Sequence, residues 1–510
     1  MIRAIRNLHR LYTIARVLAR HDALAVVDLP IAALASSVMR FGQRPVHEGR
    51  PGQRLAAALT ELGPTFIKLG QALSTRADLL GDEMTADLSE LQDRLAPFPT
   101  SLARAIIEED LGGPLSDFYT HFDDVPVAAA SIAQVHFATA TDGREVAVKV
   151  LRPGIGKAFK KDIDLLRWLA EWVELTQPSL RRLRMVESVD TFAESVQLEM
   201  DLRFEAAAAA ELAENFAGDD SFRVPEVDWQ RTAQRVMTLE RVSGIPVDEV
   251  AAIKAAGIEP DEVLRKAAES FFNMVFRDGF FHADMHPGNL FVDFTGNLVA
   301  VDFGIMGRVD LKTRRFLGEM LVGFLNGDYR RVAEVHFEAG FVPADQNVDN
   351  FTQACRSIAE PIMGKPMHEI SIARLLGQLF QITEQFSMQT QPQLLMLQKS
   401  MLVAEGVGRT LDSSVNMWEM ARPMIEAWMM SHLGPQARIK DSVVNVVQSL
   451  ERLPRMLAAT EHAYTNMMNG GLKLHPDTVK AMRGESGGRR RVHWLPWLLA
   501  IVLGVLLVLK

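Results

Sequence analysis

The run His282-Ala283-Asp284-Met285-His286-Pro287-Gly288-Asn289, with Asp302-Phe303-Gly304 opening thirteen residues after it, constrains this 510-residue chain more than any other feature. Between the two motifs, residues 290–294 and 298–302 read as strands around Thr295-Gly296-Asn297, which predicts a tight antiparallel hairpin. A hairpin brings Asn289 and Asp302 back to the same place. Two side-chain oxygens converging there suit Mg²⁺, a hard ion that keeps water and phosphate oxygens as its other ligands. Asp284, five residues before Asn289, then stands where a carboxylate orients or deprotonates the group attacking a phosphate. The pattern points to phosphoryl chemistry on ATP.

A rival reading takes His282, Asp284 and His286 as ligands of a transition metal that activates water, as in a metallohydrolase. It leaves Asn289 and Asp302 without a role, and it needs further spaced His or Asp ligands that the sequence does not supply. Composition excludes other classes. With 48% hydrophobic and 23% charged residues the chain is globular and long enough for several domains. A formal charge of -9 argues against a nucleic-acid partner. The single cysteine, Cys355, excludes an internal disulfide and a Cys-based zinc site, and it fits a reducing, cytosol-facing compartment.

Upstream, Glu145-Val146-Ala147-Val148-Lys149-Val150 alternates like a sheet strand and places Lys149 135 residues before Asp284. It resembles the V-A-I-K strand of kinases, whose amine holds the α- and β-phosphates. Such a lysine needs an acidic partner on a helix, and the stretch from Glu199 to Glu205 contains three acids. Read as one helix, Asp201 and Glu205 share a face, and Glu205 is assigned to Lys149. Over the phosphates, Val127-Ala128-Ala129-Ala130-Ser131 replaces the glycine-rich loop. Without glycine the loop should form a stiffer and less intimate cover. Leu239-Glu240-Arg241-Val242 reads as the hinge whose main chain, at Glu240 and Val242, meets adenine.

Together these residues resemble the UbiB family of atypical protein-kinase-like proteins, linked to ubiquinone (coenzyme Q) biosynthesis. Lys68-Leu69-Gly70-Gln71 is similar to its K-x-G-Q signature, Glu199-Met200-Asp201 to its E-x-D, Ala128 to Ser131 to its alanine-rich loop, and His282 to Asn289 to its H-x-D-x-H-P-G-N. The resemblance implies an α+β, bilobal kinase-like fold. In it an N-terminal helical extension packs over the pocket and engages the E-x-D, giving Lys68, Gln71, Glu199 and Asp201 regulatory roles. From the residues alone, Lys68, Gln71 and Thr75 form one polar helical stripe, a pattern that usually faces solvent. The activation segment is nearly absent: five residues separate Gly304 from Asp310, a good N-cap for a helix from Leu311. Ala283 stands where kinases carry an arginine that reads a loop phosphate.

The ends suggest a membrane. Arg3, Arg6, Arg10, Arg16 and Arg20 precede the first acid, Asp22, on a basic amphipathic helix that either lies on anionic lipid or packs on the folded chain. Residues 494–509 are unbroken by charge and follow Arg489-Arg490-Arg491, and 492–509 would span roughly 27 Å as a helix, enough for a bilayer core. The arginines predict a cytoplasmic catalytic body on a bacterial inner membrane, single-pass near the C-terminus. The expected organisation is a basic segment at 1–50, a helical extension at 51–120, an N-lobe at 121–242, a helical C-lobe at 243–482, a linker at 483–491 and an anchor at 492–510. The expected function, its ubiquinone link implied by the resemblance alone, is Mg²⁺-ATP-dependent support of ubiquinone biosynthesis, with membrane lipids or quinone precursors and the pathway's enzymes as partners. Kinase action on a pathway component and a nucleotide-bound scaffold are the alternatives.

Overall fold

The computed structural model describes residues 2–23, 49–74, 82–89, 91, 95–176, 184–361, 392–412 and 417–433, with short pieces between 378 and 388. Helix α1 (Ile2–Arg20) is followed by α2 (Pro51–Leu62) and α3 (Pro64–Leu73), which meet at Gly63. Gly63 has φ 100°, a conformation that side-chain-bearing residues avoid, and Pro64 opens α3 where its missing N–H would be unpaired anyway. Ile14, Leu59, Leu62, Phe66, Ile67 and Leu88 of these helices and of α4 (Asp82–Ser89) form a small core together with Leu165 of the later helix Ile155–Thr176. Arg10 of α1 clamps Asp162 with two hydrogen bonds of 2.8 Å. From Arg10 onward, therefore, the basic helix packs on the folded chain.

Helix α5 (Thr100–Leu111) lies beside a five-stranded sheet made of β1 (Tyr119–Phe122), β2 (Ala128–Ala129), β3 (Ala133–Ala140), β4 (Glu145–Leu151) and β6 (Val236–Glu240). Strand alternation explains the lobe: Val146, Val148 and Val150 are buried on the α5 side, which turns Lys149 to the opposite face. That face is bordered by three helices, α6 (Ile155–Thr176), α7 (Met185–Glu199) and α8 (Leu202–Asn215). The acidic stretch is thus not one helix. Asp201 has extended backbone and its carboxylate accepts from the Arg203 amide, satisfying a donor that a helix N-terminus leaves open and starting α8 afresh.

The second lobe holds a four-stranded sheet in the order β5 (Phe222–Arg223), β10 (Leu298–Ala300), β9 (Leu290–Val292) and β7 (Ile245–Pro246). The expected hairpin is β9–β10, in register Leu298 to Val292 and Ala300 to Leu290. Its turn is held by Asp293, whose side chain accepts from the amides of Thr295 and Asn297. Beneath it run α9 (Val250–Ala255) and α10 (Pro260–Phe272). A separate pair, β8 (Phe280–His282) with β11 (Met306–Arg308), ties the segment before the catalytic loop to the segment after Asp302-Phe303-Gly304. Gly307 faces Phe281 so closely that a Cβ there would meet the ring at 2.2 Å. Gly307→Ala is expected to cost about 2–3 kcal/mol by overpacking, measured as a lower denaturant midpoint; an unchanged midpoint would show that the Phe281 ring moves freely.

Asp310 caps α11 (Leu311–Leu325) through the Thr313 amide at 2.7 Å. Then follow α12 (Tyr329–Glu338), α13 (Val348–Ala359), α14 (Pro392–Leu411) and α15 (Met417–Leu433). These described residues belong to one compact unit, Met1–Leu433. Among the described residues no helix is long and apolar enough to cross a membrane. The expected linker at 483–491 and anchor at 492–510, like Thr75, lie outside the described residues.

Candidate nucleotide and catalytic site

Lys149 leaves β4 on the face opposite the α5 core, and its ammonium donates to Glu205 at 2.6 Å and to Asp302 at 3.4 Å. Glu205 sits in the first turn of α8, one turn past the Asp201 cap, so the helix start fixes where its carboxylate falls. It also accepts from the Phe303 amide at 3.4 Å. Burial pushes the Glu205 carboxyl up to about 7; Lys149 opposes the shift and the nearby Asp302 adds to it. Asp302 behaves oppositely. Burial would raise it, but Lys149, the Gly304 amide and Lys68 together hold it below the usual carboxylate range. Flanked by two carboxylates, Lys149 is held above the ordinary lysine value against the desolvation that would lower it.

The catalytic loop is fixed by its histidines. His282 is buried; one ring nitrogen bonds the Asp302 carbonyl and the other accepts the Asp284 amide at 3.1 Å. His286 accepts the Gly288 amide at 3.1 Å and caps the short turn Pro287–Asn289. His282 has both ring nitrogens on backbone and His286 has its Nδ1 there, and no group of three or more potential metal ligands occurs among the described residues. This overturns the metallohydrolase reading. Asn289 donates its amide nitrogen to the Asp284 carbonyl at 3.4 Å, which leaves its side-chain oxygen available. Asp302 takes Gly304 and Lys149 on one oxygen, and its side chain is 43% exposed. Two oxygen donors of this kind fit Mg²⁺ with water and phosphate completing the shell.

The loop from Val127 to Ser131 is tied across itself: Val127 and Ala130 donate their amides to Val135 and Ala133, both at 2.8 Å. Arg152 grips the Ala130 carbonyl at 2.9 and 2.8 Å. Glu240 ends β6 in an ion pair with Arg223. Two residues on, neither backbone group of Val242 has a hydrogen-bond partner among the described residues. From α3, Lys68 reaches Glu199 at 2.8 Å. Asp201 does not join them; it pairs with Arg203 at 2.6 Å. The E-x-D therefore divides its acids, one to the extension and one to a cap. Gln71, one turn from Lys68, has a buried side-chain oxygen without a hydrogen-bond partner among the described residues.

One residue escaped the sequence reading. Lys399 of α14 donates to Asp284 at 3.0 Å, across 115 residues of chain. No local motif marks it; its surroundings, Gln398-Lys399-Ser400, look like any amphipathic helix.

Residues 90–336 match the ABC1 atypical kinase-like domain, and residues 355–416 match the UbiB helical domain. A probable protein kinase UbiB from Marinobacter nauticus is 39% identical over 509 residues, covering 98% of this chain and 92% of the relative. The chain belongs to the UbiB family. A UbiB relative from Vibrio vulnificus, with the same description, is 42% identical over 463 residues, 88% of this chain and 85% of the relative. The solved complex of Rv3197 with erythromycin from Mycobacterium tuberculosis aligns at a TM-score of 0.51 and 25% identity, over 72% of this chain and 94% of that one. The UbiB assignment makes the fold an atypical protein-kinase-like one, mixed in helix and sheet. Lys399 lies within the stretch that matches the UbiB helical domain.

Proposed function

We propose that this UbiB-family chain binds Mg²⁺-ATP and turns it over to support ubiquinone biosynthesis at the bacterial inner membrane. The observation that carries the reading is the convergence of Lys149, Glu205 and Asp302 within 2.6 and 3.4 Å beside the loop that presents Asp284 and Asn289. In the proposed cycle, Lys149, oriented by Glu205, holds the α- and β-phosphates. The backbone at Glu240 and Val242 holds adenine. Mg²⁺ bound at Asn289 and Asp302 would neutralise charge on the phosphate oxygens. Asp284 positions a water and takes its proton; the water oxygen bonds to the γ-phosphorus as the bond to the β-bridging oxygen breaks, leaving ADP and inorganic phosphate. Remote binding energy from a membrane-held quinone precursor can then be coupled to this turnover through lobe movement.

A kinase with a protein acceptor is the weaker form of the same chemistry. From Gly304 the chain reaches the α11 cap at Asp310 through β11, which is paired to β8, so no extended segment is left to dock a peptide. Lys68 paired with Glu199 adds a helix at that side. The test is phosphate release by the full chain in detergent micelles and in anionic liposomes, with and without a quinone-precursor mimic. Stimulation by lipid or mimic is expected. Label transferred to a pathway protein instead of water would favour the kinase, and nucleotide binding without turnover in any condition would favour a scaffold.

A further inference from the structure

From Phe280 to Gly307 the chain contains Asp284, Asn289 and Asp302 but neither a lysine nor an arginine. Charge that meets the γ-phosphoryl group must therefore come from elsewhere in the fold. Lys149 stands on the Asp302 side, donating to that carboxylate at 3.4 Å, and Lys68 is taken by Glu199 at 2.8 Å. On the Asp284 side the ammonium comes from Lys399. In an in-line transfer the base lies within about 2.6–3.2 Å of the attacking oxygen, and that oxygen approaches phosphorus from about 3–3.5 Å. A flexible lysine bonded to the base is then within reach of the γ-oxygens, where charge is shared in the transition state.

The position of Lys399 is rigidly supported. Helix α14 packs on α10 and β11, Leu397 is in the main core, and Ser400 is fully buried with its hydroxyl on the Met396 carbonyl. The ammonium and its partner stay open to solvent, each side chain 33% exposed. An exposed ion pair contributes little to docking a helix already held by apolar packing. What the arrangement does provide is a positive charge, on a fixed stem, beside the one catalytic carboxylate whose loop has none.

We propose that Lys399 is the acceptor-side cation of the site, releasing Asp284 to contact the γ-phosphoryl group when a triphosphate binds. The helical region thereby completes the catalytic centre instead of merely covering it. This rests on the Mg²⁺-ATP reading above.

The experiment compares Mg²⁺-dependent binding of ADP and of a non-hydrolysable ATP analogue to the full chain and to Lys399→Ala, Lys399→Gln and Lys399→Arg. The expected result is unchanged ADP affinity, a loss of about tenfold or more in preference for the triphosphate in the Ala and Gln variants, and partial recovery in Arg. Turnover should fall in kcat, with KM for ATP rising in step with the lost triphosphate affinity. Equal weakening of both nucleotides together with a lower Tm would assign Lys399 to helix docking and overturn the proposal. Faster turnover in Lys399→Ala would overturn it too, since the pair would then restrain Asp284. Failure of the unaltered chain to bind either nucleotide would instead sink the Mg²⁺-ATP reading, and this role with it.

Discussion

Asp284→Asn is expected to reduce phosphate release by about 10³-fold, within the range that a positioned proton acceptor contributes, while Mg²⁺-nucleotide binding stays within a few-fold of the unaltered chain. The substitution preserves shape. The backbone contacts that hold the loop are the Asp284 amide on His282 and the Asp284 carbonyl on the Asn289 side chain, and both survive it. What changes is the carboxylate that would accept the water proton and that now pairs with Lys399 at 3.0 Å. Binding groups lie elsewhere, at Lys149, Asn289, Asp302 and the hinge. Turnover and titration of the nucleotide on the same sample separate the two effects. If binding collapses along with turnover, Asp284 would be a phosphate or metal site instead of a base. If turnover persists, water attack does not depend on it.

The sequence reveals the parts of this site that are built locally and conceals the parts built by tertiary packing. The β9–β10 hairpin was legible because Thr295-Gly296-Asn297 is turn chemistry between two apolar runs, and the Asp293 side chain then closes the turn. Lys149 was legible because valine alternation decides which face of β4 is buried. Glu205 does contact Lys149, at 2.6 Å, but not from the helix that the acidic stretch suggests. A continuous helix through Asp201 does not form, because Asp201 is the cap at which α8 begins. An Asp ahead of Leu-Arg-Phe-Glu is itself a helix-start signal, which the run of acids from Glu199 to Glu205 masks. Lys399 had no such signal to overlook. Its contact with Asp284 depends on how α14 lies over α10, and no periodicity within either segment encodes that crossing.

Lys149→Met carries the second large effect, on nucleotide binding and on stability at once. Losing the phosphate-holding ammonium is expected to weaken Mg²⁺-ATP by about 100-fold. It also leaves Glu205 buried beside Asp302 without its cation, a loss that for a broken buried pair is about 3–5 kcal/mol. Glu205 already sits above its ordinary range, at about 7, because burial outweighs the pull of Lys149. Without Lys149 it rises further. A carboxyl whose folded pKa exceeds its unfolded one stabilises the fold below the unfolded value and loses that contribution as pH climbs through the folded value. The Met variant should therefore be least stable, relative to the unaltered chain, at pH 8.5 and closer to it at pH 6, where Glu205 carries its proton. Adding Glu205→Gln removes the unpaired charge, so the double variant should regain stability at pH 8.5 and little at pH 6. Denaturant unfolding at the two pH values checks this. Identical losses at both, with no recovery in the double variant, would mean that Lys149 stabilises the lobe by packing of its stem and not by neutralising Glu205.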